Sequence, residues 1–223
     1  MDIEQYAKIG PQYYKDEASP LLLAYLGKNE YKTFLDCGCG DVPYYDVYRD
    51  QVLDTVCVDW ESTLHKNNFV DKYINLNRPI PFENNSFDTI LATDVLEHLF
   101  EPRQFIKECS RILRPGGKLL VMVPFYYWVH EAPHDYFRYS EYSLRGFCDE
   151  NRLIVVHLDP YGGYLDIMLD LINKRYIKKE WSVKMFMKIA SRFHRTAYYK
   201  KVLAESKRTF PLGYCLVAMK SES

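Results

Sequence analysis

Short apolar runs alternate along the chain with longer segments whose apolar residues recur every three or four positions. The runs have the length of buried β-strands and are residues 33–36, 52–58, 72–74, 87–92, 118–123, 153–158 and 214–219. Helical spacing is clearest in 101–113, where one face collects Phe105, Ile106, Cys109 and Ile112. Strands that alternate with helices predict a mainly parallel sheet covered by helices on both faces.

The length of 223 residues fits one α/β domain. Within it we expect an N-terminal helical lid (residues 1–30), a ligand-binding core (33–160), a helical insertion (161–208) and a last strand within 209–223.

Composition narrows the class of protein. The formal net charge of −1 gives no reason to expect nucleic acid as a partner. The first residues lack the basic start and apolar run of a secretory signal, and no run reaches the roughly 18 apolar residues of a membrane span, so we expect a cytoplasmic protein. Its six cysteines are then expected to be reduced, buried thiols, at positions 37, 39, 57, 109, 148 and 215.

Two predicted strands end in residues suited to ligand binding. The first runs into Asp36-Cys37-Gly38-Cys39-Gly40, and the second ends at Asp59. Ligands of open parallel sheets lie beyond the carboxyl ends of the strands. Gly38 and Gly40 let the backbone turn sharply there, and an acid at the position of Asp59 is suited to accept hydrogen bonds from ribose hydroxyls.

The same motif distinguishes between two cofactors. A dinucleotide site expects a third glycine three residues after the second, and Pro43 occupies that position. Asp36 and Asp41 also place negative charge where a pyrophosphate would lie. An acidic strand end favours S-adenosylmethionine, whose sulfonium and ammonium groups are cationic, over NAD.

From Leu35 to Phe125 the chain resembles the class I S-adenosylmethionine-dependent methyltransferases of the type 11 group, which includes ubiquinone-type and malonyl-carrier methyltransferases. The resemblance rests on five segments in the family's order: Leu35–Gly40, Val58–Trp60, Asn75–Asp88, Ala92–Leu99 and Leu113–Lys118. It implies a Rossmann-like, three-layer α/β/α fold with a seven-stranded, mostly parallel sheet whose last strand is antiparallel.

The resemblance also implies roles for single residues. Asp36, Gly38 and Gly40 would surround the methionine part of the cofactor, and Asp59 would bind the ribose. Trp60 would stack on adenine, Asn75 and Leu76 would line the adenine edge, and Thr93 would lie near the sulfonium. This chain departs from the family at Val42, where a third glycine is frequent, and at Asn75, where aspartate is common.

The acceptor is less well defined. Ala132–Tyr139 and Phe210–Tyr214 resemble segments of a subgroup that often accompanies glycan or polysaccharide biosynthesis, which points to a small-molecule or glycan acceptor. In the aromatic loop, residues 125–139, His134 and Asp135 are the candidate catalytic pair, with His134 as general base. The alternative is that their side chains hold the loop together by hydrogen bonds.

Other polar residues near the predicted edge have competing interpretations. Arg138 either binds an anionic acceptor or pairs with Asp135 or Glu141. For Glu97 and His98 we favour a positioning role, the carboxylate at a helix N-terminus and the imidazole on a backbone carbonyl.

Metal binding is not compelled by any spacing in the sequence. Cys37 and Cys39 have no second Cys/His pair at ligand spacing. His130 and Glu131 could join His134 as ligands of a divalent ion, but their spacing along the chain does not require it. We therefore predict no metal site.

Residues 165–208 are strongly basic, with twelve Lys and Arg against four Asp and Glu, a balance of +8. Basic amphipathic helices with Trp and Phe are typical of membrane-surface elements, which would place the protein peripherally at the inner membrane face. The alternative is that the apolar side covers the active site or a second copy in a homodimer.

The sequence thus favours an S-adenosylmethionine-dependent O-methyltransferase. Two other hypotheses remain open: the same chemistry on a carrier-bound acid or quinone precursor, and a catalytically silent S-adenosylmethionine-binding partner protein.

Overall fold

A computed structural model describes residues 32–50, 52–62, 68–176 and 179–222, together with the single positions 20 and 24. The predicted N-terminal lid lies outside the described residues. The strands are β1 (Thr33–Cys37), β2 (Asp54–Asp59), β3 (Lys72–Tyr73), β4 (Phe87–Thr93), β5 (Leu113–Pro124), β6 (Leu153–Tyr161) and β7 (Gly213–Lys220). The helices are α1 (Tyr45–Tyr48), α2 (Pro102–Ile112), α3 (Glu141–Glu150), α4 (Tyr164–Tyr176), α5 (Glu180–His194) and α6 (Ala197–Ser206), with a 3₁₀ turn at Leu96–His98.

The seven strands form one sheet in the order β3-β2-β1-β4-β5-β7-β6. The pairs from β3 to β5 are parallel, whereas β7 runs antiparallel to both β5 and β6. The strand order reverses between β1 and β4, so the carboxyl ends of these two strands flank the crevice where open α/β sheets bind ligands. The Rossmann-like methyltransferase fold, with its antiparallel last strand, is confirmed.

Strand alternation distributes the core over both faces of the sheet. Leu35 and Cys37 face a large apolar cluster that includes Phe105 of α2 and Leu144 of α3. Phe34 faces the opposite side and stacks on Tyr48 of α1, with 4.3 Å between ring centroids. Because helices cover both faces, the strands read as continuous apolar runs in the sequence. All six cysteines are buried free thiols, as predicted.

Three helices, α4 to α6, lie between β6 and β7. On its inner side α4 contacts the aromatic loop through Lys174, whose ammonium lies 3.5 Å from the centroid of the Tyr127 ring and 2.6 Å from Asp170. Burial lowers the pKa of Lys174 to about 8, although Asp170 favours its charged form. Among the described residues, no helix has the length and apolar character needed to cross a membrane.

Candidate cofactor and acceptor site

The turn after β1 is tied to the end of β2. The backbone N–H groups of Gly38 and Cys39 both donate to the carbonyl oxygen of Val58, over 2.8 and 3.1 Å. Gly38 and Gly40 have φ angles of +64° and +50°, a region that costs a side chain energy and glycine little. A Cβ on Gly38 would also lie 2.5 Å from a methyl carbon of Val95. The glycine at 38 is therefore required both by backbone conformation and by packing.

Val42 occupies the position where a third glycine is frequent among the resembling enzymes. Its φ is +47°, so the backbone keeps the left-handed conformation although the residue is β-branched. The Val42 side chain is buried with Cys39 and Cys57, and this apolar contact offsets the strain of the turn.

The Asp59 carboxylate is fixed by the two segments that meet at it. One of its oxygens accepts the N–H of Gly40 over 3.1 Å, and the other accepts the N–H of Trp60 over 2.7 Å. Carboxylate oxygens accept more than one hydrogen bond each, so both can also accept ribose hydroxyls. The acid is thus held in one orientation at the edge of the predicted cofactor site.

Asp36, the penultimate residue of β1, is almost completely buried, with 2% of its surface exposed, and accepts a hydrogen bond of 2.7 Å from the hydroxyl of Tyr48. Burial raises the pKa of Asp36 to about 7, because the hydrogen bond from Tyr48 only partly offsets the cost of a buried charge and nearby Asp59 adds to it. A buried acid at this edge is stabilised as a carboxylate by a cationic ligand.

The residues predicted to line the adenine lie at the same carboxyl edge of the sheet. The N–H of Ile74 donates to the Asp59 carbonyl over 2.7 Å, which places Asn75 and Leu76 directly after β3. Leu76 is buried, whereas the Asn75 side chain accepts the N–H of Asn77 in a local turn.

Thr93 lies further along this edge, at the end of β4 beside Met122 of β5. The next residue, Asp94, has a φ of +54°, and burial together with nearby Glu131 raises its pKa to about 7. Acids at the ends of β1, β2 and β4 therefore ring the crevice. These carboxylates suit the cationic sulfonium and ammonium groups of S-adenosylmethionine and do not suit an anionic pyrophosphate.

The aromatic loop after β5 is bonded to the 3₁₀ turn after β4. The N–H of Tyr136 donates to the Glu97 carbonyl, and the Tyr139 hydroxyl donates to the Leu96 carbonyl, over 2.8 and 2.7 Å. His98 Nδ1 donates to the His134 carbonyl over 2.6 Å, as expected for an imidazole held on a backbone carbonyl. The loop therefore takes its path from the turn that follows β4.

Within this loop the two candidate catalytic residues have different surroundings. The His134 ring lies edge-on to Trp60, with 4.9 Å between centroids, and its Nδ1 is 2.9 Å from the Tyr136 hydroxyl. Asp135 is paired with Arg138, whose nitrogens lie 2.5 and 2.8 Å from its two oxygens, and it also accepts the N–H of His130. Burial opposes ionisation of Asp135, but these hydrogen bonds outweigh it and hold its pKa at about 2.

The pairing of Arg138 with Asp135 supports the second interpretation of Arg138, an ion pair within the protein rather than a contact with an anionic acceptor. The guanidinium also donates to the Trp128 carbonyl over 2.8 Å, so it joins two distant parts of the aromatic loop.

The structure places close together three side chains that the sequence analysis did not group. Glu97, His98 and His130 converge at one point between the turn after β4 and the aromatic loop. The sequence predicted no metal site, and the trio it considered, His130, Glu131 and His134, is not the one that converges, because the His134 ring lies against Trp60. Glu97 lies in the first turn of the 3₁₀ helix, where its positioning role was expected, but neither of its carboxylate oxygens has a hydrogen-bond partner on another described residue.

Comparison with known proteins supports the class that this fold and site define. Residues 35–121 match the family model of the methyltransferase domain. The matched segment contains the turn after β1, the Asp59 strand end and the turn after β4.

Curated relatives match the same part of the chain. An uncharacterized protein of Methanocaldococcus jannaschii, MJ0638, is 34% identical over 110 residues, which cover 48% of this chain and 47% of the relative. A demethylmenaquinone methyltransferase of Renibacterium salmoninarum is 30% identical over 39% of each chain. A ubiquinone biosynthesis O-methyltransferase of Coxiella burnetii is 29% identical over 40% of this chain and 42% of the relative. The chain thus spans less than half the length of these relatives.

Solved structures extend the likeness of fold to nearly the whole chain. A chain from the complex of the Haloferax volcanii Trm112 methyltransferase activator with a methyltransferase has a TM-score of 0.63 at 18% identity, covering 98% of this chain and 97% of that one. An S-adenosylmethionine-dependent methyltransferase of Archaeoglobus fulgidus has a TM-score of 0.59 at 13% identity, covering 96% and 99%. The protein therefore has a class I methyltransferase fold, and residues 35–121 are similar to the methyltransferase domain. S-adenosyl-L-methionine is the cofactor that the sequence matches support.

Proposed function

We propose that this protein transfers the methyl group of S-adenosyl-L-methionine to a hydroxyl of a small-molecule or glycan acceptor. The observation that carries the proposal is the acidic crevice at the β1–β4 switch point, where Asp36 and Asp59 are held around a glycine turn. When bound, the cofactor supplies an electrophilic methyl group on a sulfonium.

The chain's own residues position the reactants. Asp59 would orient the ribose and Asp36 would hold the ammonium group, so both residues would keep a bound cofactor along the carboxyl edge of the sheet. The acceptor oxygen would receive the methyl group that the cofactor supplies, and the electron pair of the carbon–sulfur bond would remain on sulfur. Most of the rate then comes from holding acceptor oxygen and methyl carbon in line.

The hydroxyl proton of the acceptor must leave during this step. We assign His134 as the base that takes it and Asp135 as the residue that positions the loop through Arg138. An alternative role for His134 is to hold Trp60 in place, since the two rings are in edge-on contact.

Three classes of acceptor remain as hypotheses. The glycan class is supported by the resemblance of the aromatic-loop segment Ala132–Tyr139. A quinone precursor is supported by the relatives named for ubiquinone and menaquinone methylation. A carrier-bound acid is supported by the resemblance to malonyl-carrier methyltransferases.

The test is transfer of labelled methyl from S-adenosylmethionine to panels of sugars, lipid-linked glycans, phenolic quinone precursors and carrier-bound acids. Labelled product that survives base treatment is expected for an ether, whereas base-labile label would indicate a methyl ester and contradict O-methylation of a hydroxyl. Cofactor binding without transfer to any panel would support the silent partner protein instead.

The helix α5 also supports peripheral contact with a membrane. Trp181, Met185 and Ile189 lie four residues apart on one face and are 63%, 52% and 60% exposed. Exposed basic residues flank this row on the helix surface, namely Lys184, Lys188 and Arg192. An apolar row beside a cationic row is suited to the surface of an anionic bilayer.

Vesicle co-sedimentation tests this surface with phosphatidylserine-containing and purely zwitterionic vesicles. We expect binding to the anionic vesicles, loss of binding in Trp181→Ser, and weaker binding at high salt. If the surface instead mediates a homodimer, the wild-type protein will not co-sediment with vesicles. The molecular mass in solution will then fall from that of a dimer to that of a monomer in Trp181→Ser.

A further inference from the structure

Three ligand-type atoms meet beside the crevice, contributed by Glu97, His98 and His130. The two imidazole Nε2 atoms are 3.1 Å apart, and Glu97 Oε1 lies 3.9 Å from His98 Nε2 and 3.8 Å from His130 Nε2. Given these separations, one point lies about 2.1 Å from all three atoms, and metal–nitrogen and metal–oxygen bonds to zinc are about 2.0–2.2 Å long. The triangle therefore has the size of a first coordination shell.

The imidazoles are also oriented as metal ligands are. His98 Nδ1 faces the His134 carbonyl at 2.6 Å, so that nitrogen carries the proton and Nε2 presents a lone pair. His130 Nδ1 lies 3.5 Å from an oxygen of Asp135 without a hydrogen bond to it, and this carboxylate, held by Arg138, favours a proton on Nδ1 and leaves Nε2 as the ligand atom. Carbonyl and carboxylate groups behind the second ring nitrogen fix the tautomer and ring orientation of ligating histidines.

The carboxylate distinguishes a metal from a simple hydrogen bond between the histidines. A proton on His130 Nε2 would satisfy both Nε2 atoms, but it would leave both oxygens of Glu97 without a hydrogen-bond partner on any other described residue. The Glu97 side chain is fully buried, and a polar group buried without a partner is destabilising, more so when it is charged. A divalent cation at the shared point supplies the missing partner and the balancing charge.

The donor set selects the kind of ion. Two imidazoles and one carboxylate suit Mn²⁺, Fe²⁺, Co²⁺ and Zn²⁺, whereas Mg²⁺ and Ca²⁺ prefer oxygen ligands alone. We propose that Glu97, His98 and His130 bind one divalent transition-metal ion whose open positions face the acceptor.

The role of the ion rests on the proposed function. The three ligands follow the carboxyl ends of β4 and β5, beside Thr93, where the methyl group is expected. A metal-bound hydroxyl loses its proton more readily than a free one, so an acceptor oxygen on the ion becomes a better nucleophile. The acceptor class that fits is one with a second oxygen next to the target hydroxyl, since such a pair can chelate the ion.

The binding test uses Co²⁺ alone, without cofactor or acceptor. Titration followed by visible absorption is expected to saturate at one Co²⁺ per chain, and Zn²⁺ but not Mg²⁺ should displace it. Glu97→Gln and His130→Gln should each weaken Co²⁺ binding at least about tenfold, as even the loss of outer-shell partners costs about 10–100-fold. His157→Gln, at a partly exposed histidine of β6, is the matched control and should bind Co²⁺ like the wild type.

Two results would overturn the site: no saturable Co²⁺ binding to the wild type, or unchanged binding by both ligand variants. X-ray absorption at the cobalt edge of the wild-type protein needs no variant and should show two imidazoles and no sulfur in the first shell. A shell with sulfur or without imidazole would contradict the assignment. Binding of S-adenosylhomocysteine, measured separately without metal, shows whether the cofactor site is intact, so failure of the metal site and failure of the proposed function are distinguishable.

Discussion

The sharpest test of the cofactor geometry is the replacement of Asp59. In the proposed complex its carboxylate accepts two ribose hydroxyls, while the same oxygens already accept the N–H groups of Gly40 and Trp60. Asp59→Ala removes both ribose contacts, and a hydrogen bond to a charged group contributes about 1.5–3 kcal/mol. The two contacts share one carboxylate and are not additive, so we expect a net loss of about 1–3 kcal/mol, or about 5- to 150-fold in Kd.

A second variant separates charge from shape. Asp59→Asn keeps the size of the side chain, but its amide must place NH₂ against one of the two backbone N–H donors. Because the structure commits both oxygens to donors, Asn should weaken cofactor binding nearly as much as Ala. Asp54→Asn, at the exposed start of the same strand, is the matched control and should leave binding unchanged.

The assay is calorimetric titration with S-adenosylhomocysteine, with circular dichroism to verify that each variant is folded. A folded Asp59→Ala protein whose Kd stays within about twofold of the wild type would refute the placement of the ribose on Asp59. Equal weakening by Asp54→Asn would show that the effect is a general one on β2 and not a contact with the cofactor.

Three further predictions follow from the same edge of the sheet. The pKa of about 7 at Asp36 means that, at lower pH, an ammonium group that binds to Asp36 must displace a proton. The affinity for S-adenosylhomocysteine, which keeps this ammonium group, should therefore rise by up to about tenfold per pH unit until pH exceeds about 7, and Asp36→Asn should flatten this profile in calorimetry. Gly38→Ala should destabilise the fold by about 1–3 kcal/mol through backbone strain and the clash with Val95. Gly146→Ala, in open space on α3, should stabilise it by about 0.5–1 kcal/mol. Thermal unfolding checks both variants, and equal effects would contradict the packing argument. His134→Gln should lower kcat while cofactor affinity stays unchanged; weaker cofactor binding with normal kcat would show that His134 serves only to hold Trp60.

The fold and the cofactor side of the site were accessible from the sequence because their determinants are local. Each residue proposed to touch the cofactor lies at or just after the end of a strand, and strand ends of a parallel sheet share one edge. The run from Asp36 to Gly40 and the acid at Asp59 therefore predict neighbouring positions without knowledge of the loops. The antiparallel β7 came from the resemblance, since no apolar pattern states the direction of a strand.

The acceptor side was not accessible in the same way. His130 reaches Glu97 and His98 because the aromatic loop is tied back by the Arg138–Asp135 pair and by the bond from His98 to the His134 carbonyl. These contacts join residues through the path of an irregular loop, and no periodicity or ligand spacing encodes that path. The sequence accordingly predicted no metal site, whereas the structure brings Glu97, His98 and His130 together and places the His134 ring on Trp60. The Glu97 oxygens have no hydrogen-bond partner on other described residues.

The left-handed backbone at Val42 was not predicted for a related reason. A valine in this conformation is unfavourable by itself, and the sequence suggested only that a frequent glycine was missing. The conformation is retained because the turn is constrained at Gly38 and Gly40 and because the side chain packs with Cys39 and Cys57.

The central claim is that the acidic crevice at the β1–β4 switch point binds S-adenosylmethionine. The most direct measurement is parallel calorimetric titration of the purified protein with S-adenosylmethionine, S-adenosylhomocysteine and NAD. We expect the first two to bind one molecule per chain and NAD not to bind. Binding of NAD, or no binding of either sulfur compound to the folded protein, would contradict the account.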